Sequence, residues 1–174
     1  MNKNNLVILR EEKAFAMSRI FNAPPERVWR IYTDPAMIPK WWGPRTLSTV
    51  VDAMDVRVGG RWRYIQNDGN GNTFAFRGEY KIVDPPKKLV ATFEFEPMAG
   101  HIVTDTYLFD ALPEGKTQVV VKSVFETLEA LEGMLQSGMS AGCGLGRILH
   151  WAISGKGMRR FWPSVGASVG LKCM

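Results

Sequence analysis

The sequence predicts an α+β fold: a curved antiparallel sheet of about six or seven strands gripping one C-terminal helix. Three observations carry this. From Thr46 to Glu126 apolar residues recur at every second position in six segments, each closed by turn chemistry. Ahead of them stand one strand and two short helices. Behind them TLEALEGMLQSGM returns to helical spacing through Leu128, Leu131, Met134, Leu135 and Met139. A sheet of that width must cover its apolar face, and a long helix laid across it does so while leaving room for a cavity.

The first element is FAMSRIF, where Phe15, Met17, Arg19 and Phe21 share one face at a period of two. Pro24-Pro25 then sits where a helix starts, since a first-turn residue needs no amide donor. PPERVWRIYTD places Val28, Ile31 and Tyr32 on one helical face with Trp29 beside them, and Pro35 limits the helix. A second short helix fits PAMIPKWW and stops at Gly43-Pro44. The strands follow as TLSTVVDAMDVRV, RWRYIQ, TFAFRGEYKIV, LVATFEFE, HIVTDTYLFD and TQVVVKSVFE. Gly59-Gly60, Asn67–Asn72, Asp84-Pro85-Pro86, Pro97–Gly100 and Leu112–Gly115 separate them. Such short connections make most neighbours antiparallel hairpins.

At 174 residues the chain reads as a single domain, 1–174, with its core over about 12–142. It is 45% hydrophobic and 22% charged, which excludes a disordered chain. No apolar run is long enough to span a membrane, the N-terminus lacks a signal-peptide pattern, and two cysteines make no disulfide scaffold, so a cytoplasmic protein with no membrane partner is expected. The net charge of +5 belongs to the tail: residues 1–132 hold 17 basic and 17 acidic side chains, and Arg147, Lys156, Arg159, Arg160 and Lys172 lie beyond. The body carries no basic stripe, so nucleic acid is not an expected partner.

RIFNAPPERVWRIYTDPAMIPKWWGP, DVRVGGRWRY, FRGEYKIVDPPKKLVATFEF and EGMLQSGM, in that order, resemble the activator of Hsp90 ATPase homologue 1-like (AHSA1-type) branch of the START/Bet v 1-like SRPBCC superfamily. The resemblance covers roughly residues 12–142 and implies a helix-grip fold with a hydrophobic cavity between sheet and last helix. It speaks less to function, because this fold serves carriers, cyclases, hydrolases and co-chaperones. From 143 to 174 the chain departs from the family pattern in a glycine-rich basic tail. Gly142, Gly144 and Gly146 together weaken a helix by roughly 3 kcal/mol, so the helix is expected to end early or run irregularly there. Trp151, Phe161, Trp162, Leu145, Ile148 and Leu149 would then form an apolar patch, and a homodimer is one way to cover it.

Aromatic residues are the strongest functional signal. Trp41, Trp42, Trp62, Tyr64, Phe74, Phe76, Phe93, Phe95, Tyr107 and Phe109 fall mostly in same-face pairs two residues apart. Facing inward, they would line a pocket for a flat or lipophilic molecule, with Met134 and Met139, and also Met54 and Met98, as adaptable walls. Ordinary core packing accounts for each of them singly. Arg19 and Asp105 share faces with apolar residues, and an inward arginine needs a partner or an anionic ligand group. Glu79 and Glu94 alternate with aromatics and are expected in solvent, and Arg57, Arg61 and Arg63 make a basic edge beside Gly59-Gly60.

Catalytic patterns are thin. His101 and His150 are the two histidines, no HxxxH or CxxC occurs, and Cys143, seven residues from His150 with three glycines around it, is too weak a nucleophile–base pattern. No metal and no cofactor is expected. The run from Gly142 to Gly146 lacks the strand and the Lys-Ser/Thr end of a phosphate loop. The residues therefore favour binding of a hydrophobic small molecule. The alternatives are a cyclase- or hydrolase-type enzyme using Arg19, Asp105 or His101 to polarise a carbonyl or water, and a co-chaperone or stress-response interaction domain of the Hsp90-activator kind.

Overall fold

The computed structural model describes residues 5–44 and 46–136. Its order is β1 (Asn5–Leu9), β2 (Ala14–Phe21), α1 (Pro25–Thr33), α2 (Ile38–Trp41), β3 (Ser48–Met54), β4 (Arg61–Asn67), β5 (Thr73–Asp84), β6 (Lys88–Phe95), β7 (Val103–Leu112), β8 (Lys116–Phe125) and α3 (Leu128–Gln136). The eight strands form one antiparallel sheet in the order β1-β2-β8-β7-β6-β5-β4-β3. Strands β3 to β8 are thus successive hairpin neighbours, and β2 closes against β8 through Met17↔Val121 and Arg19↔Val119.

Alternation sets which face is buried. In β8 Thr117, Val119, Val121, Ser123 and Phe125 all point inward. The inward set continues with Val103, Asp105 and Phe109 of β7, and with Leu89, Ala91 and Phe95 of β6. Helix α1 lays Val28, Trp29 and Tyr32 on this face; Trp29 is part of the buried stripe, while Ile31 is only partly covered. Helix α3 adds Leu131 and Met134, the first fully buried. Among the described residues no helix is long and apolar enough to cross a membrane.

Two expectations change. The sheet gains an eighth strand, β1, ahead of FAMSRIF; a single 3₁₀ turn at Arg10–Glu12 and the left-handed Lys13 (φ 51°) join it to β2. Strand β3 ends at Met54 rather than running through Asp-Val-Arg-Val. A register shift between Val51 and Ala53 bends it, and Asp55 to Gly60 becomes a turn held by Gly60 N–H donating to Arg57 C=O at 2.8 Å. The tail readings at residues 143–174 lie outside the described residues.

Candidate ligand-binding site

Helix α2 is one turn long and is fixed by its own aromatics. The Trp41 indole N–H donates to the Ile31 carbonyl at 2.8 Å, which ties α2 to α1. Trp42 follows and meets Tyr64 and Phe76 edge-on, with ring centroids 5.1 and 5.0 Å away. Gly43 has φ +77°, and a Cβ there would sit 1.6 Å from the side-chain nitrogen of buried Gln66. Both constraints require glycine, and so the chain can turn directly after the tryptophan pair.

A second glycine places Trp62. Gly78 on β5 pairs with Trp62 on β4, and a Cβ at Gly78 would lie 1.9 Å from the Thr92 carbonyl and 2.4 Å from the indole nitrogen. The bare backbone lets the Trp62 N–H cross to donate to Thr92 C=O at 3.2 Å. The ring is thereby laid along the sheet, 4.7 Å from Tyr64 and 6.2 Å from Phe93.

Between these rings and helices α1 and α2 lies a cavity of about 40 Å³; no described residue of α3 lines it, so it does not lie between the sheet and the last helix as the resemblance implies. By volume it holds about three waters, well below the several hundred cubic ångströms of a pocket for a drug-sized molecule. Of the sequence candidates, Trp41, Trp42, Trp62, Tyr64, Phe93, Asp105 and Tyr107 line it. Phe76, Phe95, Phe109 and Met134 are buried core instead, and Phe74 packs half-buried against that core with Met54 and Met98. Met139 lies outside the described residues. Residues the sequence reading did not select also line the wall: Tyr32, Ile38, Tyr80, Leu89, Ala91 and Thr92. Tyr80 was within reach, since it continues the inward face of Phe74 and Phe76.

Polar groups occupy this apolar space. Asp105 is buried, accepts from Ser123 Oγ at 2.5 Å and from the Tyr107 hydroxyl at a long 3.4 Å, and burial pushes its carboxyl up to about 6. The hydroxyl of Tyr64 is pushed well up by burial and by Tyr80, and burial carries Tyr80 to about 12. Arg19 does face inward: its Nε and Nη1 are buried without a hydrogen-bond partner, and so is the hydroxyl of Tyr32. Desolvation lowers the Arg19 pKa and raises that of Tyr32, each group partly offsetting the other's shift.

The outer face carries charge that is internally paired. Arg63 bridges Glu96 at 2.6 Å and Asp52 at 3.0 Å, and Arg57 pairs with Asp55 at 2.6 Å, so the expected basic edge is largely neutralised. Glu94 is not in open solvent: its side chain is 13% exposed and takes Arg77 at 2.6 Å and the Gly100 N–H at 2.7 Å. His101 is exposed just before β7, and among the described residues no cluster of acidic, histidine or cysteine side chains could hold a metal ion.

One open antiparallel sheet with two short helices after β2 and a closing helix after β8 defines the helix-grip, Bet v 1-like class. Within it, the family model for activator of Hsp90 ATPase homolog 1-like proteins matches residues 22–146, and the chain belongs to that family. No curated protein sequence matches significantly. Among solved structures it is similar to protein Ms6760 from Mycobacterium smegmatis, at 24% identity and TM-score 0.74 over 88% of this chain and 98% of that one. A protein from Arthrobacter aurescens aligns at 25% identity and TM-score 0.75, over 82% and 86%. PFC0360w, an HSP90 activator from Plasmodium falciparum, shares the fold at 18% identity and TM-score 0.53, over 71% and 87%.

Proposed function

We propose that this protein binds a hydrophobic small molecule, in the cytosol, in the cavity between its sheet and helices α1 and α2. The observation that carries the reading is an aromatic-walled cavity that also contains a buried carboxyl group, Asp105, and the unpartnered hydroxyl of Tyr32. Apolar walls with a few polar groups are how small-molecule sites gain affinity and orientation together. At about 40 Å³ the space admits a ring only if a wall yields, and the one-turn α2 with Trp41 and Trp42 is the wall with the least secondary structure behind it. Native mass spectrometry of the freshly purified full chain, followed by its denatured mass, tests this. A stoichiometric extra mass that leaves on denaturation is expected. A clean mass together with no saturable binding of a hydrophobic dye would overturn the reading.

Family membership supports a second reading, a chaperone partner, because the family is described by its relation to an Hsp90 activator. Titrating the protein into an Hsp90 ATPase assay should then change ATP turnover, and a flat titration at high excess rules it out.

A further inference from the structure

Among the inward polar groups two sets stand apart. Asp105 is served by Ser123 and Tyr107. The other set has donors and no acceptor. Tyr32 is only 4% exposed, lines the cavity, and holds a hydroxyl with no partner. Arg19 does not itself line the cavity; it faces inward on β2 opposite Val119, whose other neighbour Phe109 packs against the Tyr32 ring at 5.2 Å, and it buries Nε and Nη1 with nothing to receive them. The Phe21 ring lies 5.2 Å from the guanidinium carbon and offers it a π-face, which supplies no hydrogen-bond acceptor. Several desolvated donors sharing one region without an acceptor are costly to the free protein. They are repaid by a group that accepts from both and carries negative charge.

We propose that Arg19 and Tyr32 form the recognition site for the carboxylate of an aromatic carboxylic acid whose ring lies among Trp41, Trp42, Trp62 and Tyr107. This deepens the small-molecule reading and rests on it. A guanidinium receives a carboxylate through two parallel N–H bonds, and a tyrosine hydroxyl adds a third to the same oxygens. The ring of such a ligand suits edge-on and offset contacts with the aromatic wall. Asp105 lines the same cavity and is linked to the Tyr32 side through Tyr107, which donates to it and lies 5.6 Å from the Tyr32 ring, so the non-carboxylate part of the ligand gains most by turning a hydroxyl or amide N–H donor toward it.

The test compares benzoate, 4-hydroxybenzoate and neutral benzyl alcohol by calorimetry on the full chain. The wild type should bind benzoate about tenfold or more tighter than benzyl alcohol, a ratio set by charge-assisted hydrogen bonds, and 4-hydroxybenzoate tighter still. Arg19→Gln should remove that preference while benzyl alcohol affinity stays within about twofold. Tyr32→Phe keeps the ring packing and removes only the hydroxyl, so it should cut the preference severalfold and stand in if Arg19→Gln fails to fold. Equal binding of the charged and neutral probes, or equal weakening of both by Arg19→Gln, overturns the carboxylate site and leaves the cavity reading standing. No binding of any probe at millimolar concentration overturns both.

Discussion

At the residue scale, Asp105 couples the site to stability. Its carboxyl lies among aromatic rings and burial raises its pKa from 3.8 to about 6. Between pH 4 and 6 the folded state keeps a proton that the unfolded chain has released, so stability falls as pH rises through that window and the full penalty stands above it. Two pKa units correspond to roughly 3 kcal/mol. Glu94 and Glu96 act in the opposite sense, because Arg77 and Arg63 hold their carboxyls below the usual range, so the difference between two proteins isolates Asp105. Urea unfolding of wild type and Asp105→Asn at pH 4 and pH 7 should show the wild type losing roughly 2 kcal/mol more over that interval, since part of the loss is already present at pH 4. Parallel pH profiles would contradict a buried, ionisable Asp105. That Asp105 and Arg19 face inward was legible from the period of two. Their unequal provision with partners was not, because Ser123 reaches Asp105 from the neighbouring strand β8, while no side chain accepts from the buried Arg19 nitrogens.

At the element scale, the strand patterns with one dry face read directly from the sequence, and the exceptions have physical causes. Strand β1 was missed because its Leu6, Val7 and Ile8 are contiguous and all exposed at 38% or more, so no buried face imposes an alternation. Strand β3 overran because the alternation continues through Val56 and Val58, while the bulge and the Asp55 turn end the pairing. The same difference in burial predicts dynamics. β1 pairs with β2 alone at the edge of the sheet, whereas β8 is paired on both sides and buries every second residue. The Arg10–Glu132 ion pair beside β1 is 60% exposed on the arginine side and holds it only weakly. Native-state hydrogen exchange should find the paired β1 amides opening at least about a hundredfold more readily than those of Val119 and Val121 in β8. Matching protection in the two strands would mean that β1 belongs to the cooperative core.

At the scale of the whole molecule, one pairing closes the sheet. From β3 to β8 every neighbour is the next strand in the chain, and the pairs form through short turns. Strand β2 instead meets β8 across the whole stretch from Phe21 to Lys116. Closing such a loop costs entropy that grows with the logarithm of its length and is repaid only when the partner surface exists. The β7–β8 hairpin and its inward face should therefore form first, with β2 docking after the rate-limiting barrier. Met17 is buried at 4% opposite Val121, so Met17→Ala should destabilise by about 2–5 kcal/mol, enough for a reliable kinetic ratio. In stopped-flow chevrons nearly all of that loss should appear as faster unfolding, with the refolding rate within about threefold of wild type. Val121→Ala, on the strand that must already be in place, should slow refolding by a larger share of its own destabilisation. If Met17→Ala slows refolding in proportion to its full stability loss, β2 is part of the nucleus, and the long-range closure comes before the hairpin stack.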